Sequence, residues 1–508
     1  MQYVIGCDVG TQSVKAALVA LDGRVLHEAA SGYAPSFPRP AWAEQAPQLW
    51  MDALAQAIRA LRAEARFDPR EVAALGLATQ VDGVVPVDAG GRALRNAIIW
   101  MDRRAVAQCE AAASAADPAH LLAISGLNLD PSHVAPKIRW IAEHEPAVDA
   151  QTAHYLLPGS YVALALTGEL GVDYSNASST LLMDVRARRW SPELCALFGV
   201  DPARLAPILP ATAPLGTLRP AAAETLGLSQ GTLVVVGCGD EHAACLGAGT
   251  ARPGVVCDIA GTAEPVCVAS AEPRFDPGGL VETHCHADPD AWLIENPGFV
   301  SGANLRWFRD EFAAEEVRRA AAEGVSAYEL LTRAAAGAPP GAEGLILLPC
   351  LMGAMSPTWN ANARGAFVGF TLAHNRAHFA RAVLEASAYA VRDITDRMAE
   401  IGLAPHEIRV VGGGARSRLW RQIKADVTGL PVALPHTTET TALGAAMLAL
   451  VAAGAFPSLV SSADAVVRVV ERTEPQPAAQ ARYEEMYQVY RAAYFALAPV
   501  FERAARGA

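Results

Sequence analysis

The sequence predicts an α/β protein built from two large domains. Its 508 residues exceed what one hydrophobic core usually supports, so two domains of about 250 residues are expected. Short runs rich in β-branched residues end in glycine-containing turns at residues 233–237, 255–259 and 410–411. Such runs suit strands covered on both faces, and α/β proteins place ligand groups just beyond strand ends. The same pattern therefore indicates where a functional site would lie.

Residues 232–249 are the central stretch of the chain. An apolar strand meets Gly237 and Gly239, whose small size permits a tight bend and the close approach of a ligand. Asp240 follows where the strand stops, and alanine-rich residues then favour a helix. A carboxylate between a strand end and the first turn of a helix can handle a proton or a metal ion beside a phosphate. Asp240 could equally be a helix N-cap, since Asp is a favoured capping residue.

The composition predicts a compact protein that is neither secreted nor inserted in a membrane. Apolar residues make up 52% of the chain, and no apolar run is long enough to span a bilayer. The N-terminal residues lead into a strand without a basic and hydrophobic leader, so we expect a cytoplasmic protein. The nine cysteines show no paired spacing, which is typical of buried thiols in a reducing compartment. A net charge of −12 argues against a nucleic-acid surface.

The N-terminal strands meet through a polar loop. Residues 4–7 and 14–21 have strand-like composition, and residues 8–13 join them without a following helix. Neither GxxxxGK nor GxGxxG occurs in the chain. The small residues of the loop can present backbone N–H groups to an anion, with Asp8 holding Mg²⁺ and Lys15 reaching a phosphate oxygen. The alternative is an ordinary polar hairpin turn.

Polar clusters follow two further predicted strands. A strand at 72–78 precedes Asp82, and a strand that ends at Trp100 precedes Asp102 and Arg103. Because α/β sheets place ligand groups at strand ends, these charged residues are candidates to bind sugar hydroxyls, with the indole as an apolar wall. Each could also be a solvated turn residue.

Glycines in the C-terminal half indicate a nucleotide site. Gly412, Gly413 and Gly414 follow an apolar strand and precede a helix around 420–427, so they expose backbone to whatever lies above them. A flexible loop is the alternative. The heads of the two halves look alike, which hints at a duplicated architecture. The other predicted elements are helices at 46–65, 377–400, 439–452 and 478–505, a loop at 207–220 and a linker at 471–477.

A cluster of metal-binding residue types lies in one further predicted strand. His284 and His286 would share one face, while Cys285 would point to the other. Zinc is disfavoured here, because no tetrahedral Cys/His spacing accompanies the pair.

Several motifs occur in the order in which one enzyme family carries them. In chain order they are GCDVGTQSVKAAL from Gly6, WAEQAPQLW from Trp42, IIWMDRR from Ile98, GCGDEHAACLGAG from Gly237, GTA from Gly261, RGAFVGFTLAHNRAHFARAVLE from Arg364, GGGARS from Gly412 and ETTALGAA from Glu439. With these motifs the chain resembles the FGGY carbohydrate kinases, and among them most the xylulokinases.

The resemblance implies an α/β fold with two actin-like, ribonuclease H-like ATPase domains that flank a catalytic cleft. Residues 1–249 would form a sugar-binding and catalytic domain, and residues 250–508 an ATP-binding domain with a C-terminal helix. Such an enzyme transfers the γ-phosphate of ATP to a hydroxyl of a small ketose or polyol with the help of Mg²⁺. Dimers are common in the family, so a homodimer is one expected assembly.

The resemblance also implies roles for individual residues. Asp240 would be the catalytic base and, together with Asp8, a ligand of Mg²⁺. The residues implied to bind the nucleotide are Thr11, Gln12, Lys15, Gly261, Thr262, Gly412, Gly413, Gly414 and Ala415. Those implied to bind the substrate are Gln80, Val81, Asp82, Trp100, Asp102, Arg103 and Glu241.

Departures from the family pattern fall where the substrate is chosen. Xylulokinases usually carry His at the place of Asp82 and Asn or Gln at the place of Glu241, and glycerol kinases carry Arg at the place of Val81. A site built around hydrogen bonds discriminates strongly against substrates that lack the matching hydroxyls. A pentulose such as D-xylulose is expected, with ribulose, ribitol, erythritol and glycerol as alternatives. A catalytically silent sugar or nucleotide sensor is a further alternative, whereas an NAD-dependent dehydrogenase would need the missing dinucleotide motif.

Overall fold

The first half of the chain is built on one mixed sheet, which we term the first sheet. The computed structural model describes residues 2–437 and 439–505. Along the first sheet the strands are Pro214–Thr217, Leu233–Val235, Val72–Thr79, Tyr3–Val9, Ser13–Ala20 and Val25–Gly32. A further short strand, Cys238–Gly239, also pairs with Val72–Thr79. The three strands Leu233–Val235, Val72–Thr79 and Tyr3–Val9 are mutually parallel, and the outer pairings are antiparallel.

The second sheet repeats this arrangement in the other half. Its strands are, in spatial order, Glu282–Cys285, Trp292–Val300, Ala263–Ser270, Val255–Ile259, Glu407–Val411, Val432–Pro435 and Val469–Thr473. From Trp292–Val300 onward, two antiparallel pairings are followed by two parallel pairings and a final antiparallel one. The first sheet has the same sequence of pairings when it is followed from Val25–Gly32. The duplicated architecture expected from the sequence is therefore confirmed.

Helices and small hairpins surround the two sheets. The helices of the first half are Pro47–Ala65, Val106–Ala115, Pro118–Ser125, Val134–His144, Pro146–Gln151, Pro158–Thr167, Tyr174–Ser178, Pro192–Phe198, Pro220–Leu226 and Asp240–Gly247. Those of the second half are Gly302–Phe312, Ala314–Glu323, Ala327–Ala336, Arg376–Glu400, Arg418–Thr428, Thr440–Ala452, Leu459–Val466 and Pro477–Ala505. Paired short strands are Glu44–Gln45 with Ala97–Ile98, Val85–Val87 with His154–Leu156, Val172–Asp173 with Ile208–Leu209, Met183–Asp184 with Arg189–Trp190, and Ile346–Leu348 with Ala366–Val368.

Two helices cross between the halves at very close range. The helix Asp240–Gly247 follows the first sheet, yet its Cys245 packs among residues of the second sheet. The helix Thr440–Ala452 comes from the second half and packs its alanines on the first sheet. A Cβ atom on Gly444 would lie 1.9 Å from the carbonyl oxygen of Ala243, so the two backbones can approach only because this residue has no side chain.

The same helix approaches the first sheet equally closely. A Cβ atom on Gly6 would lie 2.0 Å from the carbonyl oxygen of Ala442, and one on Gly76 would lie 1.9 Å from that of Ala445. The small residues predicted at 439–452 therefore serve close packing of backbones. The domain boundary predicted between residues 249 and 250 falls between the last strand of the first sheet and the first strand of the second.

Most predicted elements are confirmed, and the exceptions are edge strands or short two-stranded pairs. The helices predicted at 46–65, 377–400, 439–452 and 478–505 are present with ends shifted by at most one residue. The loop predicted at 207–220 is wrong in part, because Ile208–Leu209 and Pro214–Thr217 are strands. The linker predicted at 471–477 is also wrong in part, because Val469–Thr473 is an edge strand. The strand predicted up to Trp100 shortens to Ala97–Ile98.

The cysteines and the helices agree with a protein that has ordinary buried cores. All nine cysteines are buried free thiols. Among the described helices none combines the length and the apolar character needed to cross a membrane.

Candidate active site

Asp240 and Asp8 lie at the same edge of the first sheet. The strand Val72–Thr79 runs between and parallel to Tyr3–Val9 and Cys238–Gly239, and the last residues of all three strands are register partners. Because parallel strands present their carboxyl ends at one edge, the residue after Cys238–Gly239 comes close to the end of Tyr3–Val9. The structure thus brings together two carboxylates that are separated by most of the first half of the chain.

Asp240 is the first residue of its helix and not the cap. Gly239 occupies the N-cap position, and no side chain caps the helix. Asp240 Oδ1 accepts a hydrogen bond from the backbone N–H of Glu241 at 3.0 Å. The bend before it requires Gly237, because its φ is +90° and a Cβ atom there would lie 2.5 Å from the carbonyl oxygen of Leu77. The N-cap alternative for Asp240 is therefore wrong, and the carboxylate sits at the positive end of the helix dipole.

The electrostatics of this edge favour proton or metal binding. Burial, followed by the charge of Asp8, raises the pKa of Asp240 to about 8. Burial also raises the pKa of Asp8 to about 6, with Glu439 adding to the rise and Lys15 opposing it. Carboxyl groups perturbed by burial and by a neighbouring carboxylate are typical of sites where protons or cations are exchanged.

The loop at residues 8–13 is fixed by side chains from outside it. Gln45 Nε2 donates to the carbonyl oxygen of Thr11 at 2.6 Å, and Trp100 Nε1 donates to Thr11 Oγ1 at 2.9 Å. The Tyr33 hydroxyl donates to the carbonyl oxygen of Gly10. Gln12 is exposed at the tip of the loop. Thr11 and Trp100, which were assigned to the nucleotide and to the substrate, are thereby neighbours.

Lys15 joins this loop to the second half of the chain. Its ammonium pairs with the carboxylate of Glu439, the N-cap residue of the helix Thr440–Ala452. Burial lowers the pKa of Lys15, but Glu439 and Asp8 together outweigh burial and raise the pKa. The side chain proposed to reach a phosphate is therefore held by a carboxylate that sequence reasoning did not identify.

Asp82 is held by groups that the sequence did not link to it. His133 Nδ1 lies 3.3 Å from Asp82 Oδ2, and Lys137 Nζ donates to the carbonyl oxygen of Asp82 at 2.6 Å. Burial lowers the pKa of His133, but the charges of Asp82, Glu282 and Asp130 together outweigh burial and raise that pKa to about 9. Burial lowers the pKa of Lys137 to about 8. The carboxylate at this position thus carries its own imidazole partner, at the place where xylulokinases usually have a histidine.

Acidic and histidine side chains continue from Asp82 across to the second sheet. We term this set the acid–histidine chain; its members are Asp82, His133, Glu282, His284 and Glu295, and each is at most 8% exposed. His133 Nε2 lies 3.9 Å from Glu282 Oε1, and His284 Nε2 lies 3.8 Å from Glu282 Oε2 and 3.1 Å from Glu295 Oε1. The acid–histidine chain therefore alternates carboxyl and imidazole groups from one half of the protein to the other.

Glu241 lies beside the acid–histidine chain and beside Asp240. Burial raises the pKa of Glu241 well above its usual range, and the charges of Glu295 and Asp240 add to the rise. The charge of Asp82 contributes in the same direction. Glu241 therefore lies within the electrostatic reach of Asp82, the other position where the chain departs from the family pattern.

Two predicted substrate ligands are buried in structural hydrogen bonds. Asp102 is 0% exposed, and its carboxylate accepts from the backbone N–H of Ala43 at 2.6 Å and pairs with Arg104 at 2.8 Å. Gln80 is 1% exposed, and its Nε2 donates to Gln45 Oε1 at 2.8 Å. The Asp102 carboxylate and the Gln80 amide nitrogen are thus used inside the protein, whereas Gln80 Oε1 is buried without a partner among the described residues. The assignment of both residues as sugar ligands stays a prediction.

The other two predicted substrate residues have local partners. The guanidinium of Arg103 is partly exposed and pairs with Asp130. Val81 is half-buried, and its Cγ1 would lie 2.7 Å from a Cβ atom on Gly239. Val81 therefore packs against the turn before Asp240.

The two glycine turns of the second half lie next to each other. Ile259 and Val411 are register partners in adjacent parallel strands, so the turns that follow them leave the same edge of the second sheet. Gly414 N donates to the carbonyl oxygen of Ala260 at 2.9 Å, which ties one turn to the other. A Cβ atom on Gly413 would meet nothing within 4 Å. Gly412 has a φ of +78°, Ala415 is buried, and Thr262 is exposed.

The first turn of this pair is further braced by the helix Gly302–Phe312. Gly302 N donates to the carbonyl oxygen of Gly261 at 3.1 Å, and Ala303 N donates to that of Thr262 at 3.1 Å. The turn at residues 260–262 occupies the same position in the second sheet as the loop at residues 8–13 does in the first, because each joins the first two antiparallel strands of its sheet.

The cluster around His284, which raised the question of zinc, has other partners. Within residues 2–437 and 439–505, no group of three or more His, Cys, Asp or Glu side chains could hold a metal ion. His284 lies with Glu282 and Glu295, and its ring meets the edge of His242 with centroids 5.8 Å apart. The alternation of residues along this strand was the available signal for the acid–histidine chain, since Glu282 and His284 share a face.

Comparison with known proteins identifies the family and agrees with the fold. Residues 3–247 match the N-terminal domain of the FGGY family of carbohydrate kinases, and residues 258–453 match the C-terminal domain of that family. The chain is 30% identical to the xylulose kinase of Bacillus subtilis over 97% of both chains. It is 29% identical to the gluconokinase of Bacillus licheniformis over 96% of this chain and 94% of the relative.

A solved structure has the same fold. The xylulose kinase of Rhodospirillum rubrum superposes with a TM-score of 0.89 at 32% identity, and the match covers 99% of this chain and 100% of that one. The chain therefore belongs to the FGGY family of carbohydrate kinases. Its two mixed α/β halves have the actin-like ATPase fold, which confirms the fold class expected from the sequence.

Proposed function

We propose that this kinase uses ATP to phosphorylate a small neutral ketose or polyol, with a pentulose such as D-xylulose as the first candidate, and that Asp240 is the catalytic base. The observation that carries the proposal is the pairing of Asp240 with Asp8 at one sheet edge, with Asp240 at the start of a helix. Phosphoryl transfer depends mainly on positioning and on neutralisation of spread negative charge, which such an edge can supply.

In this proposal the chain's own groups divide the work. Asp240 accepts the proton of the attacking sugar hydroxyl, and Asp8 with Asp240 supplies carboxylate oxygens for Mg²⁺. The fit rests on two neighbouring carboxyls whose pKa values are raised, to about 6 and about 8, because a cation would relieve the burial and repulsion that raise them. Bound Mg²⁺ would neutralise charge on the phosphate oxygens.

The nucleotide is assigned to the turns at both sheet edges. We propose that Thr11, Gln12 and Lys15 in the first half, with Gly261 and Thr262 in the second, face the phosphates. The glycines at 412–414 and Ala415 would lie under the adenosine. Support comes from the equivalent positions of the loop at residues 8–13 and the turn at residues 260–262, and from the open space above Gly413.

Replacing Gly413 by Val should weaken ATP binding without loss of stability. The new side chain would meet no protein atom near its Cβ and would project where adenosine is proposed to lie. We expect KM for ATP to rise about tenfold or more, an effect of about 1.4 kcal/mol, with KM for the sugar unchanged. Steady-state kinetics and a thermal melt measure both effects. The matched control is Ala89→Val in an exposed turn of the first half, and equal KM values for ATP in the two variants would contradict the assignment.

The charge of the site favours a neutral substrate over an aldonate. Glu241, Asp82 and Glu295 approach one another, and their mutual charges raise the pKa of Glu241 well above its usual range after burial. The neighbouring carboxylates that raise the pKa of Glu241 would repel a substrate carboxylate in the same way, at a cost that rises with burial. The similarity to xylulose kinases therefore provides a better substrate analogy than the similarity to a gluconokinase.

The experiment that tests this choice is a coupled ADP-release screen. The panel is D-xylulose, D-ribulose, ribitol, erythritol, glycerol and gluconate, each at several concentrations. We expect saturable turnover with a neutral ketose or polyol and kcat/KM for gluconate at least about 100-fold lower, since a buried like charge costs several kcal/mol. Gluconate as the best substrate would contradict the proposal.

The pair Asp82 and His133 is expected to set the KM for the sugar. Asp82 has a φ of 58°, a conformation that Asn also tolerates, so Asp82→Asn changes charge with little backbone effect. We expect Asp82→Asn and His133→Asn each to raise KM for the sugar about tenfold while KM for ATP stays within about twofold. A double-mutant cycle should give a coupling of about 1 kcal/mol, because the loss of either side chain already removes the contact. Additive effects would show that the two side chains act independently.

Other expectations for this chain stay predictions. They are the division into domains at residues 249 and 250, the cytoplasmic location and the homodimer.

A further inference from the structure

A buried lysine holds two carboxylates next to the nucleotide turns. Lys424 is 1% exposed, and Asp258 and Glu264 are 0% exposed. Lys424 Nζ donates to Glu264 Oε1 at 2.7 Å and pairs with Asp258 Oδ2. The Ser301 hydroxyl donates to the second oxygen of Glu264. Three buried charges and a hydroxyl thus form one network inside the second half.

The network joins the two ends of a single turn. Asp258 is the penultimate residue of the strand Val255–Ile259, and Glu264 is the second residue of the strand Ala263–Ser270. The residues between these strands include Gly261 and Thr262, which are proposed to face the phosphates. An ammonium bonded to both carboxylates therefore fixes where the turn begins and where it ends.

The same ammonium comes from the element that follows the adenosine turn. Lys424 lies on the helix Arg418–Thr428, which begins directly after the 3₁₀ turn Gly413–Arg416. Ser301 precedes the helix Gly302–Phe312, whose first N–H groups donate to the carbonyl oxygens of Gly261 and Thr262. The network therefore connects both strands that border the first glycine turn with the helix that follows the second glycine turn.

Stability alone is a weak reason for such a network. Burying charges is costly, and replacing a buried ion pair by apolar side chains is often neutral or stabilising. Two carboxylates share one ammonium here, and burial followed by the charge of Glu264 raises the pKa of Asp258 to about 7. A geometric role accounts for the network better than a stabilising one.

We propose that Lys424 is a positioning residue for the nucleotide, which sets the phosphate turn at Gly261 relative to the adenosine turn at Gly413 without touching ATP. The proposal rests on the nucleotide assignment made above. It predicts that the network acts on ATP affinity and leaves the sugar site unchanged, because the acid–histidine chain has no member in it.

The test compares three variants of the full chain. Lys424→Met removes the ammonium and keeps the length of the side chain. The triple variant Asp258→Asn, Glu264→Gln, Lys424→Met removes all three charges, so that no buried carboxylate is left unpaired. Lys424→Arg keeps the charge and both possible bonds. The control is Arg381→Met, which removes a buried cation that bonds Glu385, Tyr483 and the carbonyl oxygen of Ala338.

KM for ATP and KM for the sugar are measured together with ADP affinity by calorimetry without sugar. We expect Lys424→Met and the triple variant to raise KM for ATP and the Kd for ADP about tenfold or more, with KM for the sugar within about twofold. Lys424→Arg should raise KM for ATP and the Kd for ADP less than Lys424→Met does. Arg381→Met should not raise KM for ATP more than KM for the sugar.

Several results would overturn the proposal. One is a folded triple variant whose KM for ATP stays within about twofold of the parent, and another is an equal rise in both KM values. A triple variant that does not fold would assign the network to stability alone. A wrong nucleotide assignment would be detected separately. In that case the Kd for ADP of Gly413→Val would equal that of the parent.

Discussion

Replacing Asp240 by Asn is expected to lower kcat about 10³-fold, because removal of a general base from the transition state typically costs 10² to 10⁴. The variant keeps the size of the side chain and its hydrogen bond from the backbone N–H of Glu241. It also removes one of the two charges at the edge where Asp8 lies, which should lower the stability cost of that repulsion. Sugar-dependent ADP release at saturating ATP and sugar measures the loss.

The control for this variant is one residue along the same helix. Glu241→Gln replaces the neighbouring carboxyl group by an amide of the same size and should act mainly on KM for the sugar, with kcat lowered less than about tenfold. ADP binding, measured by calorimetry, should be retained in both variants. Sugar-dependent turnover of Asp240→Asn close to that of the parent would show that another group takes the proton.

Replacing Gly444 by Ala is expected to destabilise the protein by about 3 kcal/mol, near the upper end of overpacking effects. The new methyl group would lie 1.9 Å from the carbonyl oxygen of Ala243, which is backbone and cannot rotate away. Helix propensity alone favours Ala over Gly by about 1 kcal/mol, so any destabilisation has to come from the contact between the two helices. Denaturant unfolding, followed by far-ultraviolet circular dichroism, gives the free energy of unfolding.

The matched control for the helix contact is Gly413→Ala. Its Cβ atom would meet nothing within 4 Å, so the free energy of unfolding should stay within about 0.5 kcal/mol of the parent. Gly76→Ala should behave like Gly444→Ala, since its Cβ atom would lie 1.9 Å from the carbonyl oxygen of Ala445. A Gly444→Ala variant as stable as the parent would mean that the two helices are not packed this closely.

The central elements of the fold could be predicted because their signals are local. Apolar, β-branched runs define the inner strands, and helical spacing defines the long helices. Edge strands lack this signal: Pro214–Thr217 and Val469–Thr473 have mostly exposed or half-buried residues, so their composition is that of a loop. Their pairing depends on a neighbour that is distant in the sequence, and the sequence alone does not identify that neighbour.

The site divides in the same way between local and distant information. The order of the motifs predicted that Asp8 and Asp240 act together, and the parallel register of the first sheet brings them to one edge. The burial of Asp102 depends on a contact with Ala43 across 59 residues, which no local pattern reveals. A polar residue after a strand can face a ligand or support the chain from inside, and only the partners distinguish the two.

The residues that the sequence did not reveal are those whose partners are distant along the chain. Glu439 reaches Lys15 across 424 residues, and His133 reaches Asp82 across 51. Glu282 and His284 could have been grouped by their alternation on one strand, but their role depends on Glu295 from the neighbouring strand. The acid–histidine chain is therefore complete only when the two halves are assembled, because Glu282, His284 and Glu295 come from the second half.

The most direct test of the account is phosphorus NMR of a reaction with ATP, Mg²⁺ and D-xylulose, run with the parent enzyme and with Asp240→Asn. For the parent we predict that a sugar phosphomonoester and ADP form in equal amounts. The variant should produce neither at a comparable enzyme concentration. Release of inorganic phosphate in place of a sugar phosphate, or formation of the phosphomonoester by the variant at the rate of the parent, would contradict the account.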